Sequence, residues 1–576
     1  MKWKILNQLK TKDNTVGEIV QILLENRGLK TKKGIEEFLN PIKPDNFTAK
    51  DLDIDAKEIA KAVKRINKAI VGGESIVVYG DYDADGICAA AILWETLYKL
   101  TKNVLPYIPE RVSEGYGLNC DSISKLKTSA FSKASADKQN PQLKLIITVD
   151  HGITANEKIK YAKELGIDVI VCDHHQVGKE KPDCTAIIHT EKICATAISW
   201  FLAREFFKEL PDRQFKPIPY RSENLDLVAI ATIADLEPLV GVNRSFAKYG
   251  LEALRKTSRC GLLAILEEAG IKKEEIGTYH VGYIIAPRLN ASGRIEHALE
   301  SLRLLCTANK EQAKDLAEKL GRINKERQLL TEETTRHAIE SSKFKVQSSK
   351  LIFIEHESYN QGIIGLVAGK LVEEFYLPSI VVSKGEIYSK ASARSISGFN
   401  IIEAIRAQSD LLVDAGGHPM AAGFTVETIK LEILRQRLTT FADAQIQPEL
   451  LEKNLRIDLE LPFSVLTLQL WEEIQQMSPF GLGNPEPVFM SKAIVADWRT
   501  VGSEGKHLKL TLRGQMAENE RENVFSAIGF GMGKLASELK VDQEAEIAYN
   551  LSLNEWNNKK HLELKLKDLQ WLDSKN

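Results

Sequence analysis

Short apolar runs alternate with helix-like stretches between about residues 71 and 240 of the chain. The runs at 75–79, 145–149 and 167–172 are brief and apolar throughout, which predicts buried strands rather than amphipathic helices. Strands that alternate with helices are typical of βαβ units in a parallel sheet. The pattern therefore predicts an α/β domain with a parallel sheet in this part of the chain.

The flanking patterns differ from this alternation. Residues 1–70 read as short helices, one of which, at 34–39, ends before Asn40-Pro41 because proline disfavours continuation of a helix. Residues 309–343 are charged and place leucines and an isoleucine at helical spacing, which predicts a long helix joining two domains. The open alternative is an ordinary amphipathic helix on one domain.

The last third of the chain contains two further patterns. Residues 350–450 read as a second, smaller α/β domain with strands at 351–354 and 379–382, a helix at 362–375 and a glycine-rich turn at 416–418. After 451, short strand-like runs recur at 493–501, 508–512, 524–530, 545–551 and 561–566, which is typical of a small β-barrel. The predicted domains are 1–70 (helical), 71–305 (catalytic α/β), 306–349 (connecting helix), 350–450 (second α/β) and 451–576 (barrel).

Composition narrows the function only slightly. The chain has 576 residues and a formal net charge of −2, so we expect several domains, and any nucleic-acid groove must come from local clusters of Lys and Arg. The seven cysteines form no CxxC pair, which favours a reducing, cytoplasmic location. No signal-peptide pattern opens the sequence and no apolar stretch is long enough to span a bilayer, so no membrane association is expected.

Acidic residues follow all three strand-like runs of the first α/β region. Asp81, Asp83 and Asp85 follow the first run, Asp150 follows the second, and Asp173-His174-His175 follows the third. Since ligands bind at the carboxyl ends of parallel strands, these side chains can converge on one cleft. Carboxylates with an imidazole suit Mn²⁺ or Mg²⁺, which predicts a metal-dependent enzyme acting on phosphates.

Each acidic motif also has a simpler interpretation. The alternating aspartates at 81–85 would point to one side of an extended segment, but they can equally form a solvated turn. They do not complete a calcium loop, because position 92 is Ile where Glu is required. Asp150 can cap a helix, and Asp235, in the apolar run 231–236, can be a helix-end residue.

Taken together, the motifs resemble the DHH phosphoesterase superfamily and, within it, the RecJ family of single-strand-specific 5′→3′ DNA exonucleases. The matching segments are 81–86, 109–118, 149–152, 173–175, 234–235, 286–294, 392–395, 416–423 and 479–487. They cover nearly the whole chain, and their combination in this order is far more specific than any one of them. The resemblance implies a DHH domain, a DHHA1-type domain and a C-terminal OB-fold.

The resemblance also implies a ligand set for two Mn²⁺ or Mg²⁺ ions. Asp85, Asp150, His174 and Asp235 would hold one ion, and Asp83 and Asp150 the other. Asp81 would be a nearby or additional ligand, and His175 would face the substrate. An activated water near Asp150 would then attack the terminal phosphodiester. Tyr82 and His151 stand where Phe and Asn are common in the family, but neither change removes a ligand.

Candidate substrate-binding residues lie in the remaining motifs. Arg111, Ser392 and Arg394 can grip a 5′-phosphate, because arginine contacts phosphate through two donors. Gly416 and Gly417 permit close approach of backbone to a phosphate and His418 can donate to it, although a plain tight turn is the competing interpretation. Arg288, Asn290 and Arg294 are candidates for the domain interface or the DNA path. Surface or interdomain ion pairing is the alternative for the arginines.

The expected function is hydrolysis of single-stranded DNA in repair and recombination. Single-stranded DNA is the expected partner, held in part by the OB-fold, with single-strand-binding protein and a helicase as further partners of a monomer. A narrow passage between the two α/β domains would exclude duplex. One alternative is a DHH enzyme for short oligonucleotides, cyclic dinucleotides or pyrophosphate. Another is a DNA-binding scaffold without activity, which should have lost metal ligands that are all present here.

Overall fold

The structure is a computed structural model that describes residues 1–9, 15–111, 113–129, 142–209, 224–343, 349–514, 523–556 and 559–572. Its contacts divide the chain into two compact units. One unit comprises Met1–Pro41, Pro238–Gly241 and Glu452–Asn576, and the other comprises Ile42–Glu237 and Val242–Leu451. Within the described ranges, no helix combines the length and apolar character that crossing a membrane requires.

The N-terminal residues differ from the predicted all-helical segment. They form strand β1 (Lys2–Ile5) followed by helices α1 (Val16–Glu25) and α2 (Lys32–Leu39). Strand β1 pairs in parallel with residues Asn454–Ile457, and Trp3 and Ile5 pack against an apolar cluster that includes Ile457. A four-residue strand is too short for its pattern to be recognised in the sequence. Residues 1–41 belong to the same compact unit as the C-terminal region and do not form a segment with residues 42–70.

The first α/β domain contains the predicted strands and helices in alternation. Its elements are α3 (Ala56–Val71), β2 (Ser75–Tyr79), α4 (Ala84–Tyr98), β3 (Val104–Tyr107), α5 (Cys120–Ser129), β4 (Leu143–Val149), α6 (Asn156–Glu164), β5 (Asp168–Asp173), β6 (Ala186–His189), α7 (Ala195–Lys208), α8 (Leu225–Ala234), α9 (Gly241–Arg255), α10 (Cys260–Glu268), α11 (Thr278–His280), a π-helical turn (Val281–Ile285), α12 (Ala286–Ile295) and α13 (Leu299–Cys306).

The sheet of this domain is parallel and buried on both faces. Ile76 and Val78 of β2 pack into one apolar cluster, whereas Val77 and Tyr79 pack into a second cluster on the opposite face. The strand order is β3-β2-β4-β5-β6, so β2 and β4 are neighbours although β3 lies between them in sequence. Such a reversal of strand order opens a crevice at the carboxyl ends of the two central strands, which is where ligands bind.

A single helix connects this domain to the second α/β domain. Helix α14 (Lys310–Ser342) is 33 residues long, which confirms the predicted connecting helix. It packs on α10, α12 and α13 of the first domain and on residues 352–356 and 364–375 of the second. Gly321 lies in its interior, where a Cβ would collide with the carboxylate of Glu268. The glycine that weakens the helix in isolation therefore permits its packing against α10.

The second α/β domain has a mixed sheet. Its elements are β7 (Ile352–His356), α15 (Ile364–Phe375), β8 (Ser379–Ser383), β9 (Tyr388–Arg394), α16 (Ile401–Arg406), β10 (Leu412–His418), β11 (Ala421–Glu427) and α17 (Leu431–Gln445). The order is β10-β11-β9-β8-β7, with only β7 and β8 parallel. The prediction of a turn at 416–418 is wrong, because these residues end strand β10 and the turn follows at 419–420.

The C-terminal elements form the predicted barrel. They are β12 (Asn454–Ile457), β13 (Leu459–Glu460), α18 (Leu468–Gln475), β14 (Phe489–Val501), β15 (His507–Gly514), β16 (Val524–Gly529), β17 (Glu544–Trp556) and β18 (Lys559–Trp571). Strands β14-β15-β16-β18-β17 are joined in that order, and β17 pairs back with β14 to close the barrel. Leu508, Leu510 and Leu512 alternate into its core, as the sequence pattern predicted.

Candidate metal centre and phosphate-binding residues

Two aspartates are fixed by the start of helix α4. Asp83 is the N-cap of α4, and its Oδ1 accepts hydrogen bonds from the backbone N–H groups of Asp85 (2.9 Å) and Gly86 (3.1 Å). The carboxylate of Asp85 in turn accepts from the backbone N–H groups of Ala195 (2.7 Å) and Thr196 (2.8 Å) at the start of α7. Two helix N-termini therefore orient these carboxylates and stabilise their charge.

The three alternating aspartates fall into two ligand groups. Asp83 is the N-cap of α4 and lies on extended backbone, whereas Asp85 lies in the first turn of the helix. Carboxylate oxygens of Asp81, Asp83 and Asp150 lie within 4.8 Å of one another, whereas Asp85 joins a second group of equal spread with His174 and Asp235. Every predicted metal ligand lies in one of these two groups.

Asp150 lies at the end of β4, beside the reversal in strand order. It is buried and has a φ of 68°, a left-handed conformation that aspartate and asparagine tolerate better than most residues. Its carboxylate belongs to the group with Asp81 and Asp83 and also to a group with His174 and His175. This position between the groups is the one expected of a ligand shared by two ions.

The two histidines face different partners, as adjacent side chains must. His174 Nε2 lies 3.2 Å from Asp150 Oδ1, 3.6 Å from Asp235 Oδ2 and 3.8 Å from Asp85 Oδ2. Neighbouring ligands of one octahedral ion at bond lengths of about 2.1 Å lie about 3 Å apart, so these atoms are close to a coordination sphere. Asp235 contributes from the C-terminal end of α8.

His175 is oriented by Asp173 and lies 4.0 Å from Asp150 Oδ1. Its Nδ1 lies 2.8 Å from Asp173 Oδ1, and the same carboxylate accepts from the backbone N–H groups of Ile153, His174 and His175. Tyr116 donates its hydroxyl proton to the carbonyl of Asp150 (2.8 Å), and that hydroxyl lies 3.3 Å from His175 Nε2. Asp173 therefore orders the loop that follows β5 and fixes the orientation of the His175 ring, whose edge remote from Asp173 lies beside the metal-binding residues.

The electrostatics of the cluster require a cation. Burial, followed by repulsion from neighbouring carboxylates, raises the pKa of Asp81 and of Asp150 well above the usual range. Burial and Asp85 raise the pKa of Asp235 to about 8. Asp81 Oδ1 is buried and lacks a hydrogen-bond partner among the described residues, and Asp150 Oδ1 is buried with only the His174 ring nitrogen close to it. Buried carboxylate oxygens arranged with one imidazole fit Mn²⁺ or Mg²⁺.

We expect the affinity of the protein for Mn²⁺ to increase with pH between 6 and 8. Without an ion, the pKa of about 8 keeps a proton on the Asp235 carboxyl near neutral pH, and an ion must displace it. Each proton released strengthens binding by up to about tenfold per pH unit. Isothermal titration in buffers of different ionisation enthalpy measures the number of protons. Affinity that is independent of pH, with no proton release, would contradict this description.

Four arginines form a second cluster on both sides of the domain boundary. Burial and the charges of Arg111 and Arg327 lower the pKa of Arg294 to about 10, and burial and Arg111 lower the pKa of Arg394. The Arg111 guanidinium lies 5.0 Å from the Tyr82 ring centroid, next to the metal-binding aspartates. None of the four forms an ion pair with a described carboxylate. Partly buried positive charges that form no ion pair, and that are near only the Asp81 and Asp83 carboxylates among the described residues, make a site for an anion.

Strand register brings the other phosphate-binding candidates to the same region. Ser392 Oγ accepts a hydrogen bond from Arg394 (3.3 Å). Strand β11 lies between β9 and β10, and its register aligns Gly416 with Ser392 and His418 with Arg394 across the sheet. Burial, His175 and His174 lower the pKa of His418, so the second domain reaches the metal cluster. Gly417 has a φ of 140°, and a Cβ there would collide with the carbonyl of Ala421.

Two predicted substrate-binding residues have structural partners instead. Arg288 pairs with Glu268 (2.6 Å) and donates to the carbonyl of Ile284. Asn290 Oδ1 accepts from the backbone N–H of Ala84 (2.6 Å), so it positions the start of α4. Both arrangements explain these side chains without DNA, and a substrate role for either stays a prediction.

Sequence reasoning did not select several residues of the site. Arg327 lies on the connecting helix, where an arginine reads as an ordinary exposed side chain, and Glu237 contacts His174 from two positions beyond Asp235. Tyr116 and Asp173 occur in motifs that were noticed but were not assigned to the site. The spacing Asp-x-Glu at 235–237 is the only local signal among them.

Comparison with known proteins agrees with this arrangement. Family models match at residues 75–232 (DHH family, N-terminal domain), 344–446 (DHHA1 domain) and 457–568 (RecJ OB domain). The single-stranded-DNA-specific exonuclease RecJ of Bacillus subtilis is 37% identical over 99% of this chain and 70% of its own length.

Two solved structures are also similar over the whole chain. The crystal structure of Thermus thermophilus RecJ in complex with Mn²⁺ matches with a TM-score of 0.79 and 28% identity, covering 100% of this chain and 80% of that one. The Mg²⁺ complex from the same organism matches with a TM-score of 0.73 and 26% identity, covering 100% and 79%.

Proposed function

The chain belongs to the RecJ family of single-stranded-DNA-specific exonucleases, and we propose that its metal centre hydrolyses single-stranded DNA from the 5′ end. The observation that carries the proposal is the proximity of two unlike clusters. A carboxylate–histidine group suited to divalent ions lies beside four arginines that form no ion pair with a described carboxylate. The first suits phosphodiester cleavage, and the second suits a terminal phosphate, which marks a strand end.

The ligand groups support two ions. Asp85, His174 and Asp235, with Asp150, would hold one, and Asp81, Asp83 and Asp150 would hold the other. Divalent ions in such a site lower the pKa of a water and neutralise charge that develops on the phosphate. Mn²⁺ and Mg²⁺ both suit the oxygen-rich donor set, and the proximity of Asp81 to Asp83 and Asp150 supports its role as an additional ligand.

The protein side chains position the substrate for this reaction. Arg111 and Arg394, from different domains, can each donate to a 5′-phosphate, with Arg294 and Arg327 adding positive charge. His175 is oriented by Asp173 and lies beside Asp150, so its outer edge can donate to a phosphate oxygen at the cleavage site. A 5′-phosphate held by the arginine cluster places the adjoining phosphodiester toward the metal-binding cluster.

The proposed substrate also suggests a role for the barrel and the protein partners of the enzyme. We propose that the barrel holds the single strand beyond the cleavage site, and that the enzyme acts as a monomer in DNA repair and recombination. A helicase and single-strand-binding protein are the expected partners, because duplex must be opened before a single-strand enzyme can act. All seven cysteines are free, which supports a reducing, cytoplasmic location.

Single strands labelled at one end provide the test. With Mn²⁺, we expect a 5′ label to be released at once as a mononucleotide, whereas a 3′ label stays on progressively shorter strands. Strands with a 5′-phosphate should be digested faster than strands with a 5′-hydroxyl, because only the phosphate can accept charge-assisted hydrogen bonds from the arginines. Release of the 3′ label first, or equally fast digestion of blunt duplex, would refute the proposed specificity. A dinucleotide preferred over long strands would favour the short-substrate alternative.

A further inference from the structure

Glu237 lies against the side of His174 that faces away from the carboxylates. Its Oε1 is 3.5 Å from His174 Nδ1, whereas His174 Nε2 faces Asp85, Asp150 and Asp235. The Glu237 side chain is only 11% exposed, so its charge is poorly solvated and interacts strongly with its neighbours. The imidazole is therefore placed between one outer carboxylate and the metal-binding group.

The carboxylate of Glu237 is itself held in place. Asn243 Nδ2 donates to Glu237 Oε2 (3.2 Å) and to the carbonyl of Lys192 (2.9 Å). Asn243 is buried, so this anchor is shielded from water. With Oε2 engaged by Asn243, Oε1 is the oxygen directed at His174.

The tautomer of His174 follows from this geometry. A histidine that binds an ion through Nε2 must carry its proton on Nδ1. Glu237 Oε1, 3.5 Å from Nδ1, is the carboxylate oxygen beside that proton, and donation to it would make Nε2 a stronger electron donor. Carboxylates placed behind metal-binding histidines change metal affinity by about 10- to 100-fold.

We propose that Glu237 is a positioning residue that fixes the orientation and tautomer of His174 and thereby sets the affinity of the centre for Mn²⁺. The inference rests on the proposed metal centre. In this role Glu237 contacts His174 but neither an ion nor DNA, so it acts on metal binding more than on the chemical step.

Calorimetric titration of the full chain with Mn²⁺, without DNA, provides the main test. Glu237→Leu removes both the charge and the acceptor, and we expect about 10- to 100-fold weaker binding. Glu237→Gln keeps an acceptor for Nδ1–H but removes the charge, so a smaller loss is expected, in a variant that preserves the shape of the site. In nuclease assays, the Mn²⁺ concentration for half-maximal activity should increase by the same factor, while kcat at saturating Mn²⁺ stays within about threefold of the parent.

Two controls separate the possible failures. Glu191→Gln removes an exposed carboxylate that interacts with His418 and lies in none of the ligand groups, and it should leave Mn²⁺ affinity unchanged. Asp150→Asn should lose Mn²⁺ binding. If it does while both Glu237 variants bind Mn²⁺ like the parent, the inference about Glu237 is wrong and the metal centre stands. If Asp150→Asn also binds normally, the proposed centre itself is wrong. If Glu191→Gln weakens Mn²⁺ binding as much as the Glu237 variants do, the effect comes from the net charge of the region, and the proposed role of Glu237 is wrong.

Discussion

Asp150→Asn is expected to lower hydrolysis of single-stranded DNA by about 10³-fold or more, because the shared ligand loses its charge and with it several kcal/mol of stabilisation. Asparagine is the informative replacement. It tolerates the left-handed backbone at φ 68° and keeps the size of the side chain, whereas alanine would add backbone strain to the loss of the ligand. Single-turnover digestion with Mn²⁺ measures the loss, and anisotropy with labelled DNA checks that binding persists.

A matched control exists for this replacement. Asp53 also has a positive φ, 58°, but it is exposed and lies in none of the three ligand groups. Asp53→Asn makes the same chemical change on similar backbone, and activity should stay at the parent level. Retention of Mn²⁺-dependent hydrolysis by Asp150→Asn would contradict the assignment of Asp150 as shared ligand.

Arg394→Gln should remove the advantage that a 5′-phosphate confers on a substrate. A hydrogen bond to a charged group contributes about 1.5–3 kcal/mol, so kcat/KM on 5′-phosphorylated strands should fall roughly 10- to 100-fold. Strands with a 5′-hydroxyl never make that contact, and their kcat/KM should change little. The measurement is the ratio of kcat/KM for the two substrates, parent against variant.

The ratio distinguishes recognition of the phosphate from damage to the fold. Arg435→Gln, on helix α17 of the same domain, breaks an exposed ion pair with Glu432 and should leave the ratio intact. An equal loss on both substrates in Arg394→Gln would indicate a structural role. An unchanged ratio would remove Arg394 from the phosphate site.

The order of elements followed from local patterns in the sequence. Strands β2, β4 and β5 are mainly apolar because both faces of a parallel sheet are buried, and that pattern is visible in the sequence alone. The connecting helix and the barrel strands were equally visible, through helical spacing in one and alternation in the other. Strand β1 was not, because its partner lies some 450 residues away in sequence.

Sequence by itself determined which residues are available for metal chemistry, because aspartates and histidines recur at the ends of three predicted parallel strands. Tertiary structure decided how they are grouped. Asp81 and Asp85 lie four positions apart yet fall in different groups, because a helix begins between them. Arg111, Arg294, Arg327 and Arg394 come from four separate segments, and only the packing of two domains along α14 makes them one cluster. Residue types and periodicity are local properties, whereas a shared charge environment depends on distances in space that no local pattern records.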